Sequence, residues 1–383
     1  MKRLLAVCCA VIFLDAAFFA ALAPILPEFK REFALTTTEA GILSGSYAAG
    51  ILLLALPGGW FAARFGPKPA VLVGLVGMGV FSAIFGFADS FGLLSASRFL
   101  QGAGGALMWA GAMSWVIRAG PAERRGALVG TLVAAATVGE MLGAPIGAVA
   151  GYVGRGPVFV GVSVLAALLL LAAFSLEGIR PGPQQALSSV ARAVRRSHLL
   201  PAMLLVGAAA FAFGLVTVVA PLRLDELGAG AALIAAAFAC GSIVETFVGP
   251  GIGRISDRIG RARPYQLGAA IGAVAILALS TLDTKPAVVA GLVVFAFAAA
   301  LAFTPSIALA ADSATNAGID QGFASGLTNV AFGGGQMLGA VGGGALAAMG
   351  YLLPALVTVA FLAAAGIVAG RVAASEASSQ LQR

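Results

Sequence analysis

Four charged residues lie deep inside long apolar stretches of this sequence. They are Asp15, Arg98, Glu140 and Glu245. Placing one charge in a membrane span costs about 2.5–3.5 kcal/mol on insertion scales, so such residues usually face a cavity, pair with each other or relay protons. These side chains are therefore candidates for binding a small molecule and protons. A structural role is the alternative, above all for Arg98, because backbone carbonyls and helix ends can hold a buried guanidinium.

Asp15 is the strongest candidate because of its neighbours. Phe18 and Phe19 lie about one helical turn further along, and aromatic faces attract organic cations. Pro24 and Pro27 follow, and proline removes helical hydrogen bonds, so we expect them to loosen the end of that helix. The pattern predicts a carboxylate that binds an organic cation or a proton beside aromatic rings. Ordinary packing is the alternative role for the two phenylalanines.

Glu140 lies in a run that the sequence repeats. Residues 139–144 return 196 residues later as 335–340, with Gln336 in the place of Glu140. The loss of the charge in the second copy indicates that Glu140 does more than pack. Two glycines four residues apart in each copy favour close contact between membrane helices.

The sequence offers little other chemistry. Its three cysteines, Cys8, Cys9 and Cys240, lie in apolar stretches and are typical of small buried residues, and the single histidine is His198. No cluster has metal-ligand spacing, and neither a Ser/His/Asp set nor a phosphate-binding loop occurs. We therefore expect no metal, no cofactor, no enzymatic activity and no hydrolysis of ATP.

Composition places the elements that carry these residues in a membrane. Of 383 residues, 60% are hydrophobic and 10% charged, and the mean hydropathy is +1.01. Soluble domains carry about 25% charged residues, so this chain lacks the polar surface to cover a soluble globule. Apolar stretches of about 20 residues can cross a bilayer as helices. We predict twelve, at 4–27, 39–62, 70–88, 91–117, 124–152, 157–175, 199–222, 230–253, 264–282, 286–310, 320–348 and 351–371.

The spans fall into two related halves, because glycine and arginine patterns recur about 195 residues apart. We predict an all-α membrane protein with twelve transmembrane helices in two pseudo-symmetric six-helix bundles. The bundles are expected at 1–175 and 199–372, with a cytoplasmic connector at 176–198 and a cytoplasmic tail at 373–383. Lys and Arg concentrate in loops on one side, which predicts that both termini are cytoplasmic. The net charge of +7 follows from this bias rather than from a nucleic-acid surface.

Three motifs resemble those of a known family. A loop pattern, G-x-x-x-D-R-x-G-R, appears in full at 253–261, while its first-half copy at 59–68 has Ala63 in place of the acid. The fourth span contains Arg98-Phe99-Leu100-Gln101-Gly102-Ala103-Gly104, and the fifth span contains spaced glycines. Together these motifs resemble the major facilitator superfamily, in particular its twelve-span drug/proton antiporters.

The resemblance implies roles for further residues. It links Arg98 to proton coupling. The loop motif implies a conformational latch formed by Gly59, Arg64, Gly66, Asp257, Arg258 and Gly260. The fifth-span motif associated with antiport comprises Gly130, Gly139, Gly143, Pro145 and Gly147, with the proline shifted by one position and Ala148 in place of the last glycine.

The first span carries a further likeness. Asp15, followed after eight residues by Pro24-Ile25-Leu26-Pro27, resembles the vesicular amine carriers, in which the acid binds a cationic substrate. Fold analogy places the walls of the cavity on spans 1, 4, 7 and 10 and their neighbours. It thereby proposes as cavity-lining residues Phe18, Phe19, Tyr47, Met108, Trp109, Phe211 and Phe303.

The resemblance and the buried charges imply a secondary active transporter that exports small amphipathic, cationic organic compounds in exchange for protons by alternating access. A proton-coupled importer of a small metabolite is the alternative, and a neutral substrate or sodium coupling stays open. A passive channel is disfavoured, because the acids form no ring. Expected partners are a small-molecule substrate, protons and the lipid bilayer, with no nucleic acid. A monomer in the inner (plasma) membrane suffices for this mechanism.

Overall fold

The computed structural model describes residues 1–121, 124–179, 181, 194, 199–319 and 321–381. These residues form thirteen α-helices, and no strand occurs among them. The helices of the first half are α1 Lys2–Ala20, α2 Leu22–Glu32, α3 Thr37–Phe65, α4 Pro67–Phe87, α5 Phe91–Ala119, α6 Arg125–Val153 and α7 Arg155–Phe174. Those of the second half are α8 Leu199–Glu226, α9 Ala231–Ile259, α10 Ala262–Thr281, α11 Lys285–Asn316, α12 Gln321–Ala347 and α13 Leu352–Leu381. The predicted all-helical fold class is confirmed.

Each predicted span corresponds to a helix, and the first span corresponds to two. Of the described helices, eleven are long and apolar enough to cross a membrane, and the exceptions are α2 and α5. The helix α2 has only 11 residues. The helix α5 has 29 residues but contains Arg98, Gln101 and several glycines. It packs along α3 and α4 inside the first bundle, so its polar groups are covered by protein rather than by lipid.

The first span is divided at Ala21, where α1 ends and α2 begins. Pro24 and Pro27 lack the N–H groups that would continue the helical hydrogen bonding. In α8, Val218 and Pro221 stand at the corresponding positions, 194 residues later, and that helix is continuous. Ala21 keeps helical dihedral angles and its N–H donates to the carbonyl of Ala17, so α1 and α2 follow each other closely; the second proline occurs in both halves and Pro24 in the first alone.

Local sequence also sets other helix ends. The side chain of Thr36 accepts a hydrogen bond from the backbone N–H of Glu39, whose carboxylate accepts one from the N–H of Thr36, and this capping box starts α3. Gly66 after α3 and Gly260 after α9 have φ angles of +104° and +90°, a region that suits glycine. These two residues stand 194 positions apart, so the repeat in the sequence marks two matching turns.

Two pairs of helices repeat the same close contact, one pair in each half. In each pair, three glycines spaced four residues apart lie against the backbone of the partner helix, where a Cβ atom would crowd it. In the first half these contacts are Gly139 on Phe13, Gly143 on Ala17 and Gly147 on Ala21; in the second they are Gly335 on Gly207, Gly339 on Phe211 and Gly343 on Leu215. Small residues let membrane helices approach closely, so packing explains these repeated glycines.

Each half has its own apolar core, and the halves meet along several helices. We call the end that carries Lys2 and Gly66 the terminus end, and the opposite end, with the α2–α3 and α8–α9 turns, the far end. The helices α3 and α12 pack against each other across the interface. At the far end, Arg31 of α2 and Asp225 of α8 form an ion pair of 2.6 Å between the halves.

The remaining predicted segments lie partly beyond what the structure describes. The predicted connector at 176–198, with His198, lies largely outside the described residues. The helix α13 continues to Leu381, so it extends through most of the segment expected to form a tail after residue 372.

Candidate functional site

A cavity lies between the two halves. Its empty volume, with the open mouth included, is about 780 Å³. Helices α1, α2, α3, α5 and α6 form one wall, and α8, α9 and α11 form the other. The wall is mostly apolar. Its aromatic residues are Phe19, Phe213, Phe238 and Phe295, its hydroxyl residues Ser44, Thr217 and Ser242, and its charged residues Arg98, Glu140 and Glu245.

Two carboxylates line this cavity, one from each half. Glu140 belongs to α6 and Glu245 to α9, and the two charges are close enough to interact electrostatically. Neither side chain forms a hydrogen bond or an ion pair with any other residue in the described part of the chain. An unpaired charge in an apolar site is costly until a ligand or a proton neutralises it. Both side chains are therefore suited to bind a cation or a proton.

Arg98 also lines the cavity, but protein groups hold it. Its Nη1 donates to the carbonyl of Phe18 at 3.2 Å and its Nη2 to that of Phe19 at 2.8 Å, near the end of α1. The guanidinium lies 4.6 Å from the ring centre of Tyr47, a distance at which cation–π attraction operates. Only 2% of the residue is exposed. Arg98 therefore lines the cavity and is also held by backbone carbonyls, which is the structural role that the sequence left open.

Asp15 does not line the cavity. Tyr47 donates its hydroxyl hydrogen to Oδ1, and Trp109 donates its indole N–H to Oδ2 at 2.8 Å. Gly105 leaves the necessary space, because a Cβ atom there would collide with this carboxylate. Asp15 is only 4% exposed. Both carboxylate oxygens therefore have protein donors, and the cavity offers a cation the side chains of Glu140 and Glu245 instead.

Of the seven residues predicted to line the cavity, the structure places Phe19 in its wall. Tyr47 and Trp109 contact Asp15. The other contacts are Phe18 with Phe85 and Phe159, Met108 with Gly74, Phe211 with Phe361, and Phe303 with Phe213 and Phe332. These four side chains pack within their own halves rather than in the cavity wall.

Sequence reasoning missed Phe213. Its ring stacks against that of Phe19 across the interface, with ring centres 6.3 Å apart. The repeat in the sequence could have indicated Phe213, because it follows Phe19 by 194 residues and therefore takes the same place in the second half. Phe238 and Phe295 were missed as well, and their counterparts, Ser44 and Gln101, share no such pattern.

The cavity is closed on its far side by contacts between the halves. Ala144 and Ala148 of α6 pack with Ala235 of α9 in a small apolar cluster, and the ion pair of Arg31 with Asp225 lies beyond it. Toward the terminus end, α6 and α9 present glycines with no other atom within 4 Å of their Cβ positions. These are Gly126, Gly130, Gly249 and Gly251. The described contacts between these two helices that are named above therefore lie toward the far end.

Comparison with known proteins identifies the family. The model of the Major Facilitator Superfamily matches residues 8–320 and 202–380. The chain belongs to this superfamily. It is therefore a multi-pass membrane protein of a transporter family whose members carry small molecules, and its fold is that of transporters rather than of enzymes.

Several superfamily proteins are similar over part of their length. The MFS-type transporter ppzB of Metarhizium majus is 32% identical over 36% of this chain and 31% of its own length. The MFS-type transporter YceJ of Bacillus subtilis is 31% identical over 47% of this chain and 46% of its own. The quinolone resistance protein NorA of Staphylococcus aureus is 25% identical over 32% of each chain. The match thus spans a third to a half of these relatives.

A solved structure shares the fold over nearly the whole chain. It is a bacterial homolog of the human lysosomal transporter Spinster, crystallised in an inward-facing and unoccupied conformation. The TM-score is 0.78 and the coverage 96% of both chains, at 15% sequence identity. This likeness confirms the major facilitator fold.

The residues of the superfamily's loop motif lie at the terminus end. Asp257 pairs with Arg261 at 2.9 Å, and Arg261 also pairs with Asp312 at 3.0 Å. In the other copy, the guanidinium of Arg64 lies 5.6 Å from the ring centre of Phe65. These contacts of the described residues stay within one half. The remaining motif residues are Gly59 in α3, the turn glycines Gly66 and Gly260, and Arg258 at an exposed position of α9.

The fifth-span motif divides into two parts. Gly139, Gly143 and Gly147 press α6 against the first span, as described above, and Pro145 lies inside α6. Gly130 has nothing within 4 Å of its Cβ position. Packing against α1 therefore accounts for three of these glycines and not for Gly130.

Proposed function

We propose that this superfamily member is a secondary active transporter that exports small amphipathic organic cations in exchange for protons by alternating access. The observation that carries the proposal is the pair of unpartnered carboxylates, Glu140 and Glu245, in an otherwise apolar cavity between the halves. The relative NorA, named for quinolone resistance, supports drug export. The resemblance of the fifth span to the motif associated with antiport supports exchange.

Competition for the same carboxylates produces the exchange. An ionised pair in this cavity needs a positive partner, because like charges in an apolar site repel each other and lack water to screen them. Protons satisfy this need in one step and the organic cation in the next. Binding of the cation displaces protons, and protons entering from the other side displace the cation.

Aromatic side chains supply the apolar part of recognition. Phe19 and Phe213 form a stacked pair in the wall, and Phe238 and Phe295 lie in the wall of the second half. Flat apolar cations bury surface against such rings and gain cation–π attraction. The aromatic part of the wall is apolar, so we expect the ring system of the cation to vary while its positive charge is required.

Alternating access follows from the contacts of the two ends. With the termini in the cytoplasm, as the charge bias predicts, the far end, where Arg31 pairs with Asp225, faces outward and is the closed end, and the cavity opens toward the cytoplasm. Outward opening requires the ion pair of Arg31 with Asp225 to break and the terminus end to close. We propose that Asp257, released from Arg261, then takes part in the latch that the loop motif implies. Arg98 would couple this motion to protons through its contacts with α1 and its attraction to Asp15.

The proposal includes a location and a state of assembly. The inner (plasma) membrane supplies the inward proton gradient that drives export, and one chain lines the whole described cavity, so a monomer suffices. The alternative, a proton-coupled importer of a small metabolite, uses the same cavity and the same acids. It differs in the side on which the substrate is loaded.

Proteoliposomes that contain the purified protein and an internal pH-sensitive dye test the proposal. After a pH gradient is imposed, we expect the fluorescent cation ethidium to cause proton movement opposite to its own. Neutral drugs and small metabolites should cause little proton movement. Proton movement in the same direction as a metabolite would establish the importer instead. Absence of coupled movement with every compound would refute both.

A further inference from the structure

The charges of the cavity wall are unevenly balanced. Arg98 is the one positive side chain in the described wall. Two backbone carbonyls accept its hydrogen bonds, and it attracts Asp15, which lies outside the wall. The positive charge of Arg98 is thus already balanced on its own side of the first bundle. It is not free to neutralise the acids on α6 and α9.

Two negative charges remain without a positive partner. Glu140 and Glu245 form no ion pair or hydrogen bond with the other described residues, yet both line the cavity and feel each other's charge. They stand on helices of opposite halves, so no single small ion needs to satisfy both. A ligand with one charge leaves one carboxylate to be neutralised by a proton, whereas a ligand with two charges can neutralise both.

We propose that the cavity selects amphipathic dications, in which an aromatic cation carries a second ammonium group on a flexible arm. This inference rests on the proposed function and specifies its substrate class. The aromatic part packs near Phe19 and Phe213, and each positive centre pairs with one carboxylate. Charge-assisted contacts are stronger than neutral ones, so the second pair adds affinity that a monocation cannot gain.

Two dyes form a matched pair for the test. Ethidium and propidium share the same phenanthridinium ring system, but propidium has an arm with a second, quaternary ammonium. Fluorescence titration of each dye against the purified, full-length protein in detergent gives the ratio of the two dissociation constants. We expect propidium to bind at least about tenfold more tightly.

Variants of the two acids test whether Glu140 and Glu245 cause the difference in affinity between the two dyes. Glu140→Gln and Glu245→Gln should each reduce the ratio of the two dissociation constants to about one, because the amide keeps the size of the side chain and removes its charge. Glu140→Asp, which keeps the charge, should retain a ratio well above one and serves as a check that the site tolerates substitution. Glu177→Gln, which removes one exposed carboxylate that does not line the cavity, should leave the ratio unchanged.

The outcomes separate this inference from the proposed function. Equal affinity for the two dyes, or a ratio that both glutamine variants retain, would overturn the selection of dications. If ethidium still drove proton exchange in proteoliposomes, the proposed antiport would stand without the selection of dications. Failure of both dyes to bind or to move protons would overturn the inference and the antiport of cations together.

Discussion

Trp109 donates its indole N–H to Oδ2 of Asp15 at 2.8 Å, and Tyr47 donates to the other oxygen. The acid that resembles a substrate ligand in the sequence is thus bound by protein on both oxygens. Asp15 joins α1, α3 and α5 inside the first bundle, and the acids exposed to the cavity lie on α6 and α9. We therefore expect Asp15 to contribute to the stability of the bundle, and Glu140 and Glu245 to bind cations.

Asp15→Asn should therefore lower stability more than affinity. An asparagine accepts at one oxygen only, and its amide group would face one of the two donors. Losing a hydrogen bond to a charged group costs about 1.5–3 kcal/mol. We expect a lower thermal unfolding temperature in detergent, with the dissociation constant for ethidium changed by less than about fivefold.

Asp89→Asn provides the control for this change, because Asp89 is an exposed carboxylate between α4 and α5. It should change neither the unfolding temperature nor the dissociation constant for ethidium. If Asp15→Asn instead abolished ethidium binding while the unfolding temperature stayed the same, Asp15 would be a direct ligand of the cation.

The sequence predicted the helices better than it predicted the cavity wall. The positions of the spans follow from the lengths of the apolar stretches. The two-fold repeat follows from the glycine spacing, which occurs in both halves of the chain. The rotation of each helix about its axis does not follow, because both its lipid-facing and its protein-facing sides are apolar. That rotation decides that Tyr47 contacts Asp15 and that Met108 packs on Gly74.

Glu140 and Phe213 show which features of such a sequence can indicate residues of the cavity wall. Glu140 is costly to bury, so its presence in a span already indicates a cavity, and it does line one. Phe213 could have been found from the repeat, as the counterpart of Phe19. Two prolines in the first span predicted a looser helix end, and the division between α1 and α2 at Ala21 lies next to them; α8, which has only the second proline, is continuous.

Gly143→Ala should separate packing from any other role of the antiport motif. A Cβ atom at Gly143 would collide with the carbonyl oxygen of Ala17, so α1 and α6 must move apart. Overpacking of this kind costs about 1–3 kcal/mol. We expect a lower unfolding temperature and slower transport of ethidium in proteoliposomes.

Gly130→Ala is the matched control from the same helix and the same motif. Its Cβ position is open, and alanine is favoured over glycine within a helix by about 0.5–1 kcal/mol. Stability should therefore stay the same or rise. Equal destabilisation by both changes would argue against packing as the reason for Gly143.

Reversing the charge at the far end should shift the equilibrium toward the outward-open state. Arg31→Glu places two negative charges together and removes a contact between the halves. An exposed pair contributes about 0.2–1 kcal/mol, so the ratio of the two states should change by up to about fivefold. The readout is the labelling rate of Ser44→Cys, in a background without Cys8, Cys9 and Cys240, by an impermeant maleimide added on the far side.

The double change Arg31→Glu with Asp225→Arg should return the labelling rate toward its original value. Arg155→Gln disrupts the pair of Arg155 with Glu32, which lies wholly in the first half, and should leave the rate unaltered. A rate that rises equally in Arg155→Gln and Arg31→Glu would mean that loss of any far-end charge, rather than the contact between the halves, increases labelling.

The central claim is that cations and protons compete for Glu140 and Glu245, and proton release on binding measures this most directly. Purified protein in a weakly buffered detergent solution with a pH-sensitive dye would be titrated with ethidium near neutral pH. We expect release of about one proton for each ethidium bound, and no release from the Glu140→Gln, Glu245→Gln double variant. Ethidium binding near neutral pH without proton release, or undiminished release from the double variant, would contradict this competition.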